Sequence, residues 1–402
     1  MKKHLLATAL LSLAAMGLSA CGPAANDGIE DPLADLTAAG AKMSNEELIA
    51  KAKEETGKFI AYGNTSRITD AMKNFVAKYG EQIGLDTNSA SAAKKSDSDI
   101  YTLLENEASL ANKNEAASMV LVQDSATLDL YRKNSDYLSN YHSDLFSANV
   151  DADALVPLAH QYINKLFIWN SVGEAPKFSN VWDLLDTQYE GKIFFKSPTS
   201  EAVNKNFLMT LTSPKWVSKM DAAYKAKYGK DFVPTEELKN SSYAWIKGFL
   251  KNANTSAYGG DTDIAEGLSQ ETNSGRMGLF VLSKLRSSSV NSDNLQVGCW
   301  EQEITPFAGF MYAIYAQLVS HGPRPYTAML FTNYLMTEEG FKPWGKSVGG
   351  YSANNTVPVY SDEHVTDKSL DWYKQRLVLE DGEYINTVKA TLSPWIDSLL
   401  AK

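Results

Sequence analysis

The chain has 402 residues, 44% hydrophobic and 21% charged, which is two to three domains by length with ample apolar surface for a core, and this excludes wholesale disorder. Lys and Arg total 38 against 48 Asp and Glu, a formal charge of -10 that lacks the basic excess of a nucleic-acid binder. Two cysteines cannot build a disulfide framework or a multi-cysteine metal site.

At the amino terminus Lys2 and Lys3 precede an apolar run, Leu5 to Leu18, too short to cross a bilayer, and the pattern predicts a signal peptide over residues 1–20. Leu18-Ser19-Ala20-Cys21 resembles the lipobox of bacterial lipoproteins, which implies cleavage before Cys21 and lipidation of that residue. Two or more lipid chains would hold the chain stably to a membrane. Loss of residues 1–20 removes two lysines and no carboxylate, leaving a charge of -12 and Cys299 as the sole unmodified thiol. Residues 22 to 43, rich in Gly, Pro, Ala and Asp, predict a flexible tether with an r.m.s. span of roughly 25 Å. The expectation is an extracytoplasmic domain anchored through Cys21.

Order is predicted to begin at Ser44, where Ser44-Asn45-Glu46-Glu47 has the spacing of a capping box, and Gly57 supplies a stop. Phe59 to Tyr62 predicts a strand, and Ile68, Met72, Phe75, Val76 and Tyr79 a helix ending at Gly80. Strand Ile83 to Thr87, helix Asp97 to Asn112, strand Met119 to Val122 and helix Ser125 to Lys133 follow, then a strand at Lys165 to Trp169. A second series comprises Trp182 to Asp186, strand Lys192 to Lys196, and helices around Phe207, Met220 and Trp245. After it come helix Asp261 to Gln270, strands Met277 to Leu282 and Gln296 to Trp300, and helix Ala328 to Met336. The alternation predicts two α/β units with a ligand cleft between them.

Several motifs carry less than they suggest. Gly340 to Ser347 matches the phosphate-loop pattern, but no strand precedes it and Gly349-Gly350 follow, where a phosphate-binding helix should begin. His142, His160, His321 and His364 are isolated, and Asp261-Thr262-Asp263 lacks the further ligands of a calcium loop, so helix capping is its expected role. No nucleophile with a partnered base is evident. Two post-strand loops are more informative. Asn64-Thr65-Ser66-Arg67 offers an amide, hydroxyls and a guanidinium near a helix start, and Ser197-Pro198-Thr199-Ser200 repeats the hydroxyl-rich arrangement, suiting an anionic or hydroxyl-rich ligand. Trp300 with Glu301 and Glu303, together with Tyr351, offers a rival wall suited to a sugar or cation. Phe307, Phe310, Tyr312 and Tyr315 are expected in the core.

The order of Lys58 to Arg67, Trp182-Asp183-Leu184-Leu185, Gly191-Lys192-Ile193, Ser197 to Ser200, Asp261 to Ala265 and Ala328 to Gly340 resembles the extracellular solute-binding proteins of bacterial ABC importers. The branch in question includes ferric-ion, thiamine, polyamine and sugar-phosphate binders. The resemblance implies a type II periplasmic-binding-protein fold, α/β and two-lobed, with discontinuous lobes and a hinge. By position, lobe one is residues 44–168 plus about 300–346, and lobe two about 169–299 plus about 347–402. It implies ligand-facing residues at Asn64 to Arg67, at Gln123, Asp124 and Ser125, at Thr199 and Ser200, from Tyr258 to Asp263 with Asp261 among them, and at Ser283 and Lys284. Iron binders of this branch place adjacent tyrosines where this chain has Ser283-Lys284, and Lys284 with Arg67 favours a negative group instead. The implied activity is capture without catalysis, cofactor or metal, by a monomer that delivers a small, anionic or phosphorylated solute to a membrane permease. Sugar, polyamine or ferric ion is the alternative cargo; a secreted enzyme on the same scaffold or a surface adhesin is the alternative class.

Overall fold

A computed structural model describes residues 31–133, 136–346, 348–361 and 367–401. The expected signal peptide, Cys21, His364 and Ser347 lie outside the described residues.

The segment expected to be a tether contains a helix, α1 (Ala34–Ala41), so order begins well before Ser44. Gly40 explains why it docks: a Cβ there would sit 2.3 Å from Met329 Sδ, so only glycine lets the helix close this tightly. Helix α2 (Asn45–Ala52) starts with the predicted reciprocal cap, Ser44 Oγ accepting from Glu47 N at 3.2 Å and Glu47 Oε2 accepting from Ser44 N at 2.8 Å.

Strand β1 (Phe59–Gly63) leads into α3 (Arg67–Ile83), which runs past Gly80 and ends on Gly84 in the left-handed conformation, φ 68°. The strand expected at 83–87 is therefore helix end and turn, and β2 is instead Ala90–Lys94. Its sequence, Ala-Ser-Ala-Ala-Lys, has no β-branched or aromatic residue to announce a strand. Helix α4 (Asp97–Ala108), the wholly buried strand β3 (Ala117–Val122) and α5 (Ser125–Lys133) complete this half, followed by β4 (Leu138–Ser139) and the short α6 (Asp144–Ser147). β1 pairs parallel with both β2 and β3, so the loops after β1 and β3 and the start of α4 meet at one end of the sheet.

Strand β5 (Ala159–Asn170) opens the second half, which contains β6 (Ile193–Phe195), α7 (Ala202–Thr210), α8 (Pro214–Tyr228) and α9 (Ser241–Asn252). It continues through β7 (Ala253–Asn254), α10 (Asp261–Leu268), β8 (Met277–Val281) and β9 (Leu295–Val297). The strand expected at 296–300 turns after Val297 into the single helical turn α11 (Gly298–Glu301). β10 (Gly309–Val319) then returns, followed by α12 (Pro325–Leu335), α13 (Glu338–Phe341), β11 (Tyr351–Ser352), α14 (Leu370–Lys374), β12 (Val378–Leu379) and α15 (Gly382–Leu400).

The sheet runs β2-β1-β3-β10-β5-β8-β6-β7, with β4, β9, β11 and β12 paired at its flanks. Its centre is the antiparallel pair β5–β10, which runs from Gly309 opposite Leu166 to Tyr315 opposite Ala159 with a register shift between Ile314 and Tyr315. β10 continues to β3 of the first half and β5 to β8 of the second, so these two long strands pass between both halves. Gly309 makes that pairing possible, because a Cβ there would meet Lys165 O at 2.1 Å. Helix α15 packs against α5 of the first half and α7 of the second.

Lys165, in the middle of β5, is fully buried. Its ammonium lies 3.2 Å from Glu201 Oε1 and 3.1 Å from Asp261 Oδ2, and donates to Asn204 Oδ1 at 2.8 Å. Desolvation works against the charge, but the two carboxylates outweigh it and hold the Lys165 pKa above its ordinary value. Removing the ammonium leaves two buried carboxylates uncompensated. Lys165→Met should lower unfolding free energy by about 3–5 kcal/mol in urea titration; an unchanged midpoint would show that the triad adds nothing to stability.

Candidate functional site

A cleft of about 840 Å³ opens where the post-strand loops of the two halves face each other. The first half lines it with Asn64, Thr65, Ser66, Arg67, Lys94, Lys95, Asp97, Tyr101, Gln123 and Asp124. The second half contributes Lys196, Ser200, Glu201, Asp261, Ser283, Lys284 and Arg286, and the central strands contribute Gln161 and Tyr312. Trp344 and Gly349 close one side.

The local folds explain these positions. Asn64 to Ser66 form the turn between β1 and α3, where Thr65 Oγ1 accepts from Arg67 N at 3.3 Å, and the Asn64 amide donates to Gln123 Oε1 at 3.0 Å. This bond ties the loop after β1 to the loop after β3. Asp97 serves the same junction, its Oδ2 accepting from Gln123 N at 2.9 Å and Asp124 N at 3.0 Å. Ser283 to Arg286 form a 3-10 turn directly after β8. Gly349, at φ 83°, lies so close that a Cβ would fall 2.6 Å from Ser283 N, while Arg286 donates to Trp344 O at 3.0 Å.

Among the described residues, none of Arg67, Lys94, Lys95, Lys284 or Arg286 forms an ion pair with a carboxylate. They instead face one another. Burial, with repulsion from Arg67, pushes the Arg286 pKa down to about 10. Burial lowers Lys284 as well, Arg286, Lys165 and Lys94 adding repulsion and Asp261 partly offsetting it. The cations of the second half's floor are different: Lys196 pairs with Glu201 at 2.8 Å, beside the Lys165 triad.

Of the residues marked from sequence, Asn64 to Arg67, Asp124, Ser200, Asp261, Ser283 and Lys284 share this cleft. Others do not reach it. Ser125 is buried behind Asp124, and Thr199 is exposed, its hydroxyl 2.8 Å from that of Ser197. Tyr258 packs edge-on against Phe194 beneath α10. The rival wall does not form. Tyr351 is buried on β11 and donates to Asp367 Oδ2 at 2.8 Å; Trp300 donates to Tyr373 OH at 3.0 Å; and Glu301 is exposed away from the cleft. Tyr373 donates in turn to Asp367 Oδ1 at 2.7 Å, so these aromatics satisfy one buried carboxylate instead of facing a ligand.

Asp261 makes no capping bond and pairs with Lys165, while Tyr312 is buried in the core as expected and also lines the cleft floor. Gly340 of the phosphate-loop match lies within α13, without a strand before it. Cys299 is buried, and burial pushes its thiol up to about 12. Gln123, also marked from sequence, lines the cleft as well; sequence reading missed Lys94, Asp97, Tyr101 and Arg286. For Asp97 and Tyr101 the four-residue spacing on one helix was visible, but not the loop they would face.

No family model matches the chain, nor does any curated protein. Solved structures do. A Trichodesmium protein, IdiA or FutA, in complex with iron and citrate ligands aligns with TM-score 0.60 at 17% identity, over 85% of this chain and 99% of that one. A ferric binding protein from Campylobacter jejuni aligns with TM-score 0.59 at 16% identity, over 85% and 99%. An ABC transporter structure from Clostridium perfringens gives TM-score 0.56 at 11% identity, over 85% and 98%. The chain has the two-lobed fold of these binding proteins. Within that fold the cleft lies between the two halves, with β5 and β10 passing beneath it as the connecting strands.

Behind the cleft, the Asn206 amide donates to Asp124 Oδ1 at 3.0 Å and to Glu380 Oε1, linking the first half, α7 and the segment after β12. Burial raises the Glu380 carboxyl to about 8, Asp124 and Asp97 adding repulsion and Asn206 and Ser125 opposing it; Tyr312 and Tyr315 also face it. The folded chain keeps this proton while the unfolded chain loses it near the ordinary value of 4.5. Stability should therefore fall as pH rises from about 4.5 to about 8 and level off above. Glu380→Gln should flatten that slope in unfolding measured across this range; an identical slope would remove Glu380 as its source.

Proposed function

We propose that this chain is the solute-binding component of an ABC importer, capturing a small anionic solute, foremost a phosphorylated metabolite, between two lobes and delivering it to a membrane permease. The carrying observation is the convergence of Arg67, Lys94, Lys284 and Arg286 on one cleft without a carboxylate partner among the described residues. Cations gathered on one cleft repel one another. An anion relieves that repulsion and takes charge-assisted hydrogen bonds from both sides. Arg67 and Lys94 come from the first half and Lys284 and Arg286 from the second, so only the closed form makes every contact and ligand shifts the open–closed balance toward it.

The activity in this reading is capture without turnover. Lobe one comprises residues 44–168 plus about 300–346 and lobe two about 169–299 plus about 347–402, with β5 and β10 paired where the lobes meet and α15 packed against both α5 and α7. A signal peptide over 1–20 and lipidation at Cys21 would anchor a monomer to the membrane. Ferric ion is the second reading, since the Trichodesmium neighbour is in complex with iron and citrate and the Campylobacter jejuni neighbour is a ferric binding protein; Tyr101, Tyr312, Asp97 and Asp124 put hard oxygen donors on the same cleft.

Thermal shift on the purified protein with matched sugars and sugar phosphates, ferric citrate, polyamines and thiamine phosphate tests the assignment, since ligand at 100 times its Kd adds about 2.7 kcal/mol. Stabilisation by the phosphorylated member of a pair is expected. Arg67→Ala and Arg286→Ala should each weaken that binding by about 1.5–3 kcal/mol. Response to ferric citrate or polyamines alone would overturn the anion reading.

A further inference from the structure

One part of the cleft wall has the opposite electrostatic character. Asp97 and Tyr101 are four residues apart on α4, share a face of that helix and both line the cleft, beside Asp124. The Asp97 oxygen Oδ2 is taken by two backbone N–H groups, but Oδ1 is buried with no hydrogen-bond partner. The Tyr101 hydroxyl is likewise buried and unpartnered, on a residue only 5% exposed. Glu380 stands behind Asp124, joined to it through Asn206. Among the described residues, no Lys or Arg is paired with Asp97, Asp124 or Glu380.

A buried acceptor and a buried hydroxyl left unfilled at a cavity wall carry a desolvation cost that a bound group can remove. A ligand hydroxyl would fill one of them and leave the carboxylate charge uncompensated. An ammonium group brings several donors and a positive charge, satisfying Asp97 Oδ1 and the Tyr101 oxygen together. Burial and the nearby Asp124 charge raise the Asp97 carboxyl to about 6, against the lowering effect of the Gln123 and Asp124 backbone N–H groups and the Asn64 side chain. The cavity, at about 840 Å³, has room for a body joining the two ends.

We infer that the solute is zwitterionic, an amino-bearing phosphate or phosphonate whose anionic group sits among Arg67, Lys94, Lys284 and Arg286 and whose ammonium is received by Asp97 and Tyr101. This rests on the anion-capture reading above and adds the second charge to it.

The test is calorimetric binding of three matched series, unsubstituted, ω-hydroxy and ω-amino alkyl phosphates of two to six carbons, at neutral pH. At the best-fitting length, the amino compound should bind about tenfold or more tighter than the hydroxy compound. Asp97→Asn should abolish that preference, bringing the amino and unsubstituted compounds to within about twofold of one another in the same variant. Tyr101→Phe, which removes only a hydroxyl, should reduce the preference and provides the check if the Asp97 variant fails to fold. Amino and unsubstituted compounds binding equally, or the hydroxy compound binding tightest, would overturn the zwitterion and leave anion capture intact. Absence of binding by every alkyl phosphate, with Arg67→Ala indifferent to other anions, would overturn anion capture and with it this inference.

Discussion

The buried Lys165 ammonium is the constraint on which the arrangement of the cleft depends. Lys165 lies on β5, one of the two strands that connect the halves, and its partners Glu201 and Asp261 stand at the starts of α7 and α10. A charge fully removed from water persists only with close counter-charges, so the strand, the loop after β6 and the start of α10 must meet at fixed positions. Glu201 is then already engaged when it also pairs with Lys196. The triad neutralises the carboxylates on the second half's floor, and the remaining cations are left facing the cavity.

The cationic wall has its own support. Arg286 is held by Trp344 O, and the Ser283 turn is packed against Gly349, whose N–H donates to Asp367 Oδ2 at 2.8 Å. Asp367 also accepts from Tyr351 and Tyr373, so the aromatic groups that looked like a ligand surface act one layer back. A buried carboxylate satisfied by two phenols and backbone N–H groups fixes a loop. The two lobes' contributions thus rest on different networks, Asn64–Gln123–Asp97 in the first and Lys165 with Asp367 in the second. Asp124, Asn206 and Glu380 form a polar contact where the two meet.

Much of the fold was legible. The capping box at Ser44, the apolar strands at 59–63 and 117–122 and the helices after them follow from spacing and cap chemistry that act over a few residues. β2 was not legible, because alanine and serine carry no strand preference and its pairing with β1 is the only thing that makes it extended. Helix α1 was concealed by its small, acidic composition; its order comes from Gly40 meeting Met329, nearly three hundred residues away.

The sequence by itself determined the alternating α/β order and placed Asn64 to Arg67 in a post-strand loop, since a loop after a parallel strand falls at one end of the sheet wherever the strand sits, while Lys284 was marked only through the family resemblance. The short apolar run that ends at Cys21 is likewise a pattern read from adjacent residues alone. Tertiary structure alone decided that Arg286 and Lys94 join Arg67, that Asp261 turns to Lys165, and that Tyr351 and Trp300 withdraw toward Asp367. Those outcomes depend on strand order and on which buried charge finds which partner, and no local pattern in the chain encodes a pairing between residues so far apart in sequence.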